Sequence, residues 1–436
     1  MATLESTQDT TALPPGSRLP TLVQTMLFLT VRPHLFRHLR RRHGDVFTTR
    51  LVGRQTVVVL SRPEHIRELF SGPPAIYHAG EGNKSLLPAM GETSVMITDE
   101  DEHKRMRKLL MPAFNGAALR GYGDMMTELA RSNVERWPVG RPFATHHEMN
   151  DLTLEIILRV VFGMSDGPRL AALRARLRTL IEITPLTALG WSYPALARFP
   201  PWRNHRENLR AFDRLMYAEI ADRRVAADLA ERGDVLSKLL NVTGTDLSDV
   251  ELRDQMVTLL LAGHETTATS LAWCFHDLAR SPRVLRAARA AADSGDDDYL
   301  EAVAKEALRR HPVVQVVPRV LTEPAEIAGY HLPARTVVAA SITLPQEDPA
   351  HHSEPAEFRP ERFLGRQPEA GTWLPFGGGV RRCIGAGFSL KEMAATLREA
   401  LVRYDIRPAR SAPERTKPRN ITLVPSHGAR IVATPR

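Results

Sequence analysis

The chain has 436 residues, of which 43% are hydrophobic and two are cysteine. That hydrophobic content is sufficient for a substantial core, whereas two cysteines exclude a disulfide framework and are typical of a reducing compartment. The formal net charge of +8 favours contact with nucleic acid, an anionic membrane or an acidic protein. No change in composition marks a linker, so we expect a single large domain.

The N-terminal region combines a polar start with a short apolar run. We expect residues 1–13 to be disordered and the domain to span residues 14–436. The apolar run at 19–31 is too short to cross a bilayer, and Arg32-Pro33 ends it. The alternatives for this run are contact with a membrane surface and packing against the domain, and we expect a packed or partly ordered segment. Without a recognisable signal peptide or transmembrane anchor, we expect a cytoplasmic protein.

Local patterns predict mostly helix with a small, off-centre β region. Alternating and β-branched residues on both sides of Val52-Gly53-Arg54 predict a hairpin, whereas the glycine- and proline-rich stretch 71–97 predicts a loop. The predicted helices cover residues 33–42, 63–70 and most of 101–310, and the predicted strands cover 46–51, 55–60, 313–321, 336–342 and parts of the C-terminal end.

One predicted helix is unusually long and apolar. Ser248 and Glu251 form a capping box at its start, and no further proline occurs before Pro282. At 1.5 Å per residue this spacing predicts roughly 50 Å of helix. Because the helix is apolar nearly all round, we expect it to be buried through the centre of the protein.

The middle of that helix carries residues that a buried helix normally avoids. Gly263 costs about 1 kcal/mol relative to alanine, Thr266 can bond back to an earlier carbonyl and bend the helix, and Glu265 is costly to bury unless paired or functional. Together they indicate a place where a small ligand meets the helix, with a polar kink of no catalytic role as the alternative. His264-Glu265 begins like a zinc-protease motif, but Ala268 stands where that motif has its second histidine.

The most informative segment runs from Phe376 to Gly385 and contains Cys383. Its glycines allow the backbone to fold closely around the sulfur, and the helix-prone run that follows places Cys383 near the positive end of a helix dipole. Arg381 and Arg382 add positive charge. These features favour a thiolate, and a buried thiolate needs a partner such as a metal ion. An inert buried cysteine is the alternative.

Five residues of this segment resemble the haem-binding signature of the cytochrome P450 monooxygenases: Phe376, Gly379, Arg381, Cys383 and Gly385. The resemblance implies a mainly α, P450-like single domain with a small β region, in which the long central helix lies over a haem b and the cysteine-loop helix lies beneath it. It implies Cys383 as the iron ligand, with the thiolate favouring O–O bond cleavage, and Phe376 and Gly385 as residues around the cofactor. Because no membrane anchor was recognised, the resemblance is to the bacterial type of enzyme.

The same resemblance assigns roles within the central helix. Glu265 and Thr266 match the acid–alcohol pair with which the family activates dioxygen, Glu265 as a proton relay and Thr266 as the residue that holds a water and donates a hydrogen bond. Ala262 is expected to contact the haem. The implied reaction inserts one oxygen atom of O2 into a C–H bond or a C=C bond.

The haem propionates need cations, and the resemblance implies four such residues: His103, Arg107, Arg319 and Arg381. His103 stands where many relatives have a tryptophan. The resemblance also implies a buried cluster of Glu306, Arg309 and Arg362, in which a planar guanidinium holds a carboxylate bidentately. We assign this cluster a structural role in holding the segment that presents the cysteine.

Electrons are expected from outside the chain, because no flavin or iron–sulfur segment accompanies the haem signature. A ferredoxin or flavodoxin with a separate reductase is the expected partner, and surplus positive charge would steer such an acidic protein. The candidate docking cations are Lys104, Lys108, Arg382 and Lys391. We expect no nucleic-acid partner, since no basic stripe with interleaved aromatic residues is present.

A lipophilic substrate is expected because the regions that the resemblance places around it are apolar. These regions are residues 76–97, residues 180–220, the central helix and the strand after Pro312. Two other functions are open: a peroxide-using or rearranging relative, and a haem carrier or sensor without turnover. The first tends to lack the acid–alcohol pair, and the second does not need it.

Overall fold

The structure is a computed structural model that describes residues 13–53, 55–163, 167–181, 195, 198–242, 247–365, 368–419 and 421–436. Within these ranges the chain is mainly helical with small β-sheets, which confirms the predicted fold class. The segment predicted to be disordered lies outside the described residues except for Leu13, which is partly buried against a core cluster. The boundary of the domain at residue 14 stays a prediction.

Helices account for most of the described chain. In sequence order they are α1 (Thr21–His43), α2 (Pro63–Ser71), α3 (Ala79–Gly82), α4 (Leu87–Met90), α5 (Glu100–Leu110), α6 (Gly116–Val134), α7 (Thr145–Phe162), α8 (Pro168–Ile181), α9 (Trp202–Arg224), α10 (Val235–Leu240), α11 (Asp249–Gly263), α12 (Glu265–Arg280), α13 (Pro282–Ser294), α14 (Asp297–Arg310), α15 (Thr343–Gln346) and α16 (Ala386–Arg403). Short 3-10 turns lie at Lys84–Leu86, Met111–Phe114, Leu229–Glu231, Pro360–Phe363 and Gly379–Arg381.

The strands form a larger sheet and three smaller ones. They are β1 (Val46–Leu51), β2 (Gln55–Leu60), β3 (Tyr77–His78), β4 (Phe143–Ala144), β5 (Val316–Leu321), β6 (Ala325–Ile327), β7 (Tyr330–Leu332), β8 (Val337–Ser341), β9 (Tyr404–Pro408), β10 (Thr416–Arg419), β11 (Thr422–Pro425) and β12 (Arg430–Pro435). The larger sheet has the order β1-β2-β8-β5-β3, and the others are β4-β12-β9, β10-β11 and β6-β7.

The predicted hairpin is confirmed at the edge of the larger sheet. Strands β1 and β2 pair antiparallel with Val46 opposite Leu60, and β2 then pairs parallel with β8. Phe47, Val57 and Val59 pack with α1 in one hydrophobic cluster, as expected of alternating strand residues that face a helix. The predicted loop 71–97 is only partly irregular, because α3, α4 and a 3-10 turn interrupt it.

Helix α1 is longer than the sequence predicts. It begins at Thr21, whereas the prediction placed its start at Pro33, so the apolar run 19–31 is largely helical. The helix bends at Val31 (φ −137°, ψ 34°), because Pro33 lacks an N–H and its ring crowds the preceding turn. One side of this run packs against the protein, but several of its large apolar side chains are exposed. The run is therefore packed on one side, as expected, and exposed on the other.

The central helix lies where the sequence predicts it, but it is not continuous. The predicted capping box of Ser248 and Glu251 is present, but the helix breaks at His264 (φ −103°, ψ −53°) and continues as α12. The prediction of one unbroken helix is therefore wrong. The polar residues around position 264 supply the alternative hydrogen bonds that permit this break.

The main core surrounds the central helix pair. Helix α12 packs against α7 and α14, and α16 packs against α6 and α14. Cys274 of α12 is fully buried in this core and unbonded, as predicted for a small core residue. None of the helices in the described ranges has both the length and the apolar composition needed to cross a membrane.

Candidate haem site

The loop before Cys383 is held close to α2, and this contact explains its glycines. Gly377 and Gly379 have φ angles of 65° and 63°, in the left-handed region that side chains disfavour. A Cβ atom on Gly379 would lie 2.0 Å from the carbonyl oxygen of Phe70. The loop closes where the Cys383 N–H donates to the Phe376 carbonyl at 2.9 Å, and this bond fixes the direction of the cysteine.

Cys383 is placed three residues before α16, and its side chain is exposed although many protein atoms surround it. Such a combination is expected of a sulfur that faces a cavity. Burial raises the pKa of the Cys383 thiol, while a hydrogen bond from Gly385 and the charges of Arg107 and Arg382 act in the opposite direction. A metal ion bound at this sulfur would displace the proton and hold the thiolate.

The break in the central helix exposes a short polar section. His264 Nδ1–H donates to the Leu260 carbonyl at 2.8 Å, and the Thr266 hydroxyl donates to the Ala262 carbonyl at 2.8 Å. These side chains compete with the backbone ladder, which is how such residues bend a helix. Ala262 is exposed and Thr266 is partly exposed, although most of α12 is buried. The break therefore faces an open space.

Glu265 does not hydrogen-bond to Thr266 in the described structure. Its carboxylate is buried and faces hairpin β10–β11, where the Nε of Arg419 lies 3.3 Å from Oε1 without hydrogen-bond geometry. Burial raises the pKa of Glu265, and Arg419 and Thr422 partly oppose that shift. The two members of the predicted pair are adjacent in sequence but face different surroundings. The acid holds its proton more readily than an exposed glutamate does.

The four predicted propionate ligands lie close enough to influence one another. Burial, Arg381 and Arg107 lower the pKa of His103 to about 4, and Arg319 adds to this effect. His103 and Arg107 are one turn apart on α5, and the Arg107 guanidinium donates to the Arg382 carbonyl at 2.7 Å. Arg319 reaches the same region from β5. Elements far apart in the chain thus bring these cations together.

This cluster carries more positive than negative charge. The charged residues that act on His103 are three arginines and one acid, Asp99. Arg381 pairs with Asp99 at 2.6 Å and also donates to the carbonyls of Val95 and Thr98. Because His103 is neutral at its lowered pKa, two positive charges remain without an acid. Two carboxylates, such as the propionates of a haem, would balance them.

Arg319 is the clearest sign of an anion-binding site. The residue is only 5% exposed, yet its side chain donates to the Pro318 carbonyl and no ion pair joins it to an acid in the described chain. Burial and the nearby Arg381 lower the pKa of Arg319 to about 10. A buried cation is costly unless an anion accompanies it, so these residues fit a haem.

The predicted Glu–Arg–Arg cluster is confirmed. Arg309 holds the fully buried Glu306 bidentately at 2.8 and 2.9 Å, and Arg362 donates to the same carboxylate at 3.2 Å. Arg309 also donates to the carbonyls of Gln346 and Pro355. These bonds attach the irregular segment that precedes the cysteine loop to α14, which agrees with a structural role.

A second group of potential metal ligands lies between α12 and α14. His276 and His311 contact Asp277 at 3.0 and 3.1 Å. The positions are already used, because Arg310 pairs with Asp277 at 2.6 Å and the Glu414 N–H donates to His276 Nε2. We interpret this group as a hydrogen-bonded structural network and not as a metal centre.

The candidate docking cations lie on α5, in the cysteine loop and on α16. Lys104, Lys108 and Arg382 are exposed, and Lys391 is partly exposed. Within the described ranges none of the four forms an ion pair with an acid. The apolar residues at 183–193, which were predicted near the substrate, lie outside the described residues.

Sequence reasoning missed several residues of this site. Arg419 and Asp99 have no local motif, and only the fold brings them to Glu265 and Arg381. A hydrogen-bond contact of 3.1 Å between the Thr267 and Ser389 hydroxyls also joins the central helix to α16. The polar character of Thr267 in a buried helix was a signal for this contact, but its partner could not be read from the sequence.

Three features together are typical of haem-thiolate proteins. They are an accessible cysteine in a glycine loop, a broken central helix and a cluster with more cations than acids. A sequence profile described as Cytochrome P450 matches residues 14–432, so the chain belongs to the cytochrome P450 family, whose members bind haem. Three mycobacterial relatives are named "Putative cytochrome P450" with the numbers 135A1, 135B1 and 137.

These relatives are similar to the chain over most of its length. The 135A1 protein of Mycobacterium tuberculosis is 49% identical over 98% of this chain and 96% of its own length. The 135B1 protein of Mycobacterium bovis is 42% identical over 96% and 91%. The 137 protein of M. tuberculosis is 38% identical over 90% and 83%.

Proposed function

We propose that this protein is a haem b monooxygenase that inserts one oxygen atom of O2 into a C–H or C=C bond of a lipophilic substrate. Cys383 would hold the iron, with Phe376 and Gly385 at the loop that surrounds it. The bound haem would supply the redox chemistry that activates dioxygen. The observation that carries the proposal is the partly exposed Thr266 hydroxyl at the break of the central helix, since a haem carrier has no need of it.

Thr266 and Glu265 would have different roles in proton transfer. The Thr266 hydroxyl donates to the Ala262 carbonyl, so its oxygen is free to accept a hydrogen bond from a water in the open space. Glu265 has a raised pKa and a cation, Arg419, between it and solvent. A rotation of the Glu265 side chain away from Arg419 would bring its proton toward Thr266, as a relay acid requires.

The cation cluster supports the position of the cofactor. His103, Arg107, Arg319 and Arg381 would bind the two propionates, and Ala262 would face the haem from the central helix. The neutral His103 would act as a hydrogen-bond donor and the arginines as cations. Loss of the propionates would leave the surplus charge unbalanced, so haem binding and local stability should be coupled.

Electrons would arrive from a ferredoxin or flavodoxin that is reduced by a separate reductase. Lys104, Lys108, Arg382 and Lys391 lie without acidic partners in the described structure and would attract an acidic donor. The strand that begins after Pro312 offers apolar side chains, among them Val316 and Val317, which supports a lipophilic substrate. The compartment proposed for the enzyme is the cytoplasm.

The test combines a spectrum with a substitution. The reduced, carbon monoxide-bound protein should absorb far to the red, as thiolate ligation requires, and Cys383→Ser should abolish this shift. Thr266→Ala should keep the spectrum but lower product formed per electron consumed, with more unproductive oxygen consumption. Thr267→Ala is the matched control, because Thr267 bonds to Ser389 and is buried. An unchanged product yield in Thr266→Ala would favour a haem carrier or sensor.

A further inference from the structure

Helix α1 presents an unpartnered apolar stripe to solvent. The stripe consists of Leu19, Leu22, Met26 and Leu29, whose side chains are between 48% and 66% exposed. Their spacing of three and four residues places Leu22, Met26 and Leu29 on one face of the helix, with Leu19 just before its first turn. Monomeric proteins rarely leave several large apolar side chains together in water.

The opposite side of the same helix is firmly attached to the protein. Leu27 and Phe28 pack against the cluster that contains Phe36. The buried Gln24 side chain donates to the Leu19 carbonyl at 2.7 Å and accepts from the Thr49 hydroxyl at 2.9 Å. The stripe is therefore held outward by a fixed helix and is not a frayed end.

A neighbouring turn extends the exposed apolar surface. Val52 in the β1–β2 turn is 58% exposed, and its N–H donates to the Thr25 hydroxyl of α1 at 2.9 Å. Two elements thus place apolar side chains on this side of the protein.

The charge around the stripe identifies the occupant. No aspartate or glutamate occurs between Asp9 and Asp45. Arg18, which adjoins Leu19, is exposed and forms no ion pair within the described residues, and the chain as a whole carries a net charge of +8. A helix with an exposed apolar face and basic residues binds in the plane of an anionic bilayer surface. Two copies of the stripe would instead bring like charges together.

We propose that this protein binds the surface of a bilayer that contains anionic lipids, with the α1 stripe inserted among the headgroups. The turn at Val52 would enter the same layer, and Arg18 would contact lipid phosphates. This binding is peripheral and independent of turnover. It does not depend on the proposed monooxygenase function.

Vesicle sedimentation of the haem-loaded protein tests the proposal. The wild type should sediment with vesicles of equal parts phosphatidylglycerol and phosphatidylcholine, and less with phosphatidylcholine alone. Raising the salt from about 0.1 M to about 1 M, which shortens the screening length from about 10 Å to about 3 Å, should weaken binding. The triple variant Leu22→Ser, Met26→Ser, Leu29→Ser should lower the partition coefficient by about tenfold or more.

The matched control is the triple variant Val139→Ser, Val225→Ser, Val250→Ser. These side chains are also exposed, at 52%, 82% and 51%, but lie outside α1, and the control should bind vesicles like the wild type. Absence of wild-type binding, or an equal loss in the control, would overturn the proposal. Equal binding to both lipid mixtures would refute the role of positive charge. If the wild type forms a dimer and does not bind vesicles, and the stripe variant is a monomer, then the stripe is an interface between copies and the proposal is wrong.

Discussion

The buried carboxylate of Glu306 offers the sharpest test of how the cysteine loop is supported. Its two oxygens accept four hydrogen bonds, two from Arg309, one from Arg362 and one from the Arg359 N–H. In Glu306→Gln the charge disappears and an NH2 group replaces one oxygen. Two donors then face each other at the Arg309 guanidinium, which becomes a buried cation without an acid.

The expected cost can be estimated from the burial of the pair. The side chains of Glu306 and Arg309 are both 0% exposed, and breaking such a pair by changing one partner costs about 3–5 kcal/mol. An unfolding entropy of about 2.1 cal/mol/K per residue gives about 0.9 kcal/mol/K for a chain of this length. We therefore expect the melting temperature of the haem-loaded protein to fall by about 3–5 °C.

Differential scanning calorimetry at matched haem loading is the assay, with the carbon monoxide spectrum recorded before heating. Glu301→Gln on the same helix is the control, because Glu301 pairs with Lys305 at 2.7 Å but both side chains are partly exposed. That change should cost below about 1 kcal/mol and shift the melting temperature by about 1 °C or less. Equal shifts in the two variants would refute the reasoning from burial.

Three further predictions concern single charges. Arg319→Met should accelerate haem transfer to apomyoglobin by about ten- to a hundredfold, because a buried hydrogen bond to a charged group contributes about 1.5–3 kcal/mol. The control is Arg120→Met, at an exposed position. An unchanged transfer rate in Arg319→Met would exclude Arg319 as a propionate ligand. Burial raises the pKa of Glu392 well above its ordinary 4.5, and neither carboxylate oxygen has a hydrogen-bond partner among the described residues. The folded state therefore binds a proton more tightly than the unfolded state, and the free energy of unfolding falls as pH rises through and beyond 4.5. Glu392→Gln should make the melting temperature depend less on pH. An unchanged pH dependence would contradict this prediction. Arg419→Met should raise the pKa of Glu265 further, so the alkaline limit of coupled turnover should move to higher pH, and a move to lower pH would contradict the assignment.

The local features of the site were predictable from short stretches of sequence. The capping box of Ser248 and Glu251, the β1–β2 hairpin and the glycine loop before Cys383 each depend on residues within about ten positions of one another. Their geometry follows from turn conformations, capping hydrogen bonds and side-chain period. Recognition of the haem signature rested on the same local pattern.

Other parts of the prediction failed where tertiary contacts outweigh local preference. The apolar run of residues 19–31 was expected to be packed or partly ordered, and Leu27 and Phe28 of this run do pack against the core, but Leu22, Met26 and Leu29 are exposed. The central helix was expected to be continuous, but the His264 carbonyl accepts a bond from Thr153 of α7 at 3.0 Å, and this contact stabilises the break. Periodicity measures how apolar a face is and cannot tell what covers it.

By itself the sequence determined the fold class and predicted the cysteine that would bind haem and the four residues expected to bind the propionates, because turn chemistry and motif spacing are local properties. Only the tertiary structure decided that Arg419 accompanies Glu265, that Asp99 accompanies Arg381 and that Arg319 is buried with no acid paired to it in the described chain. Those relations set the charge and pKa of the site. They depend on residues more than a hundred positions apart, whose distances follow from chain packing and leave no mark in the neighbouring sequence.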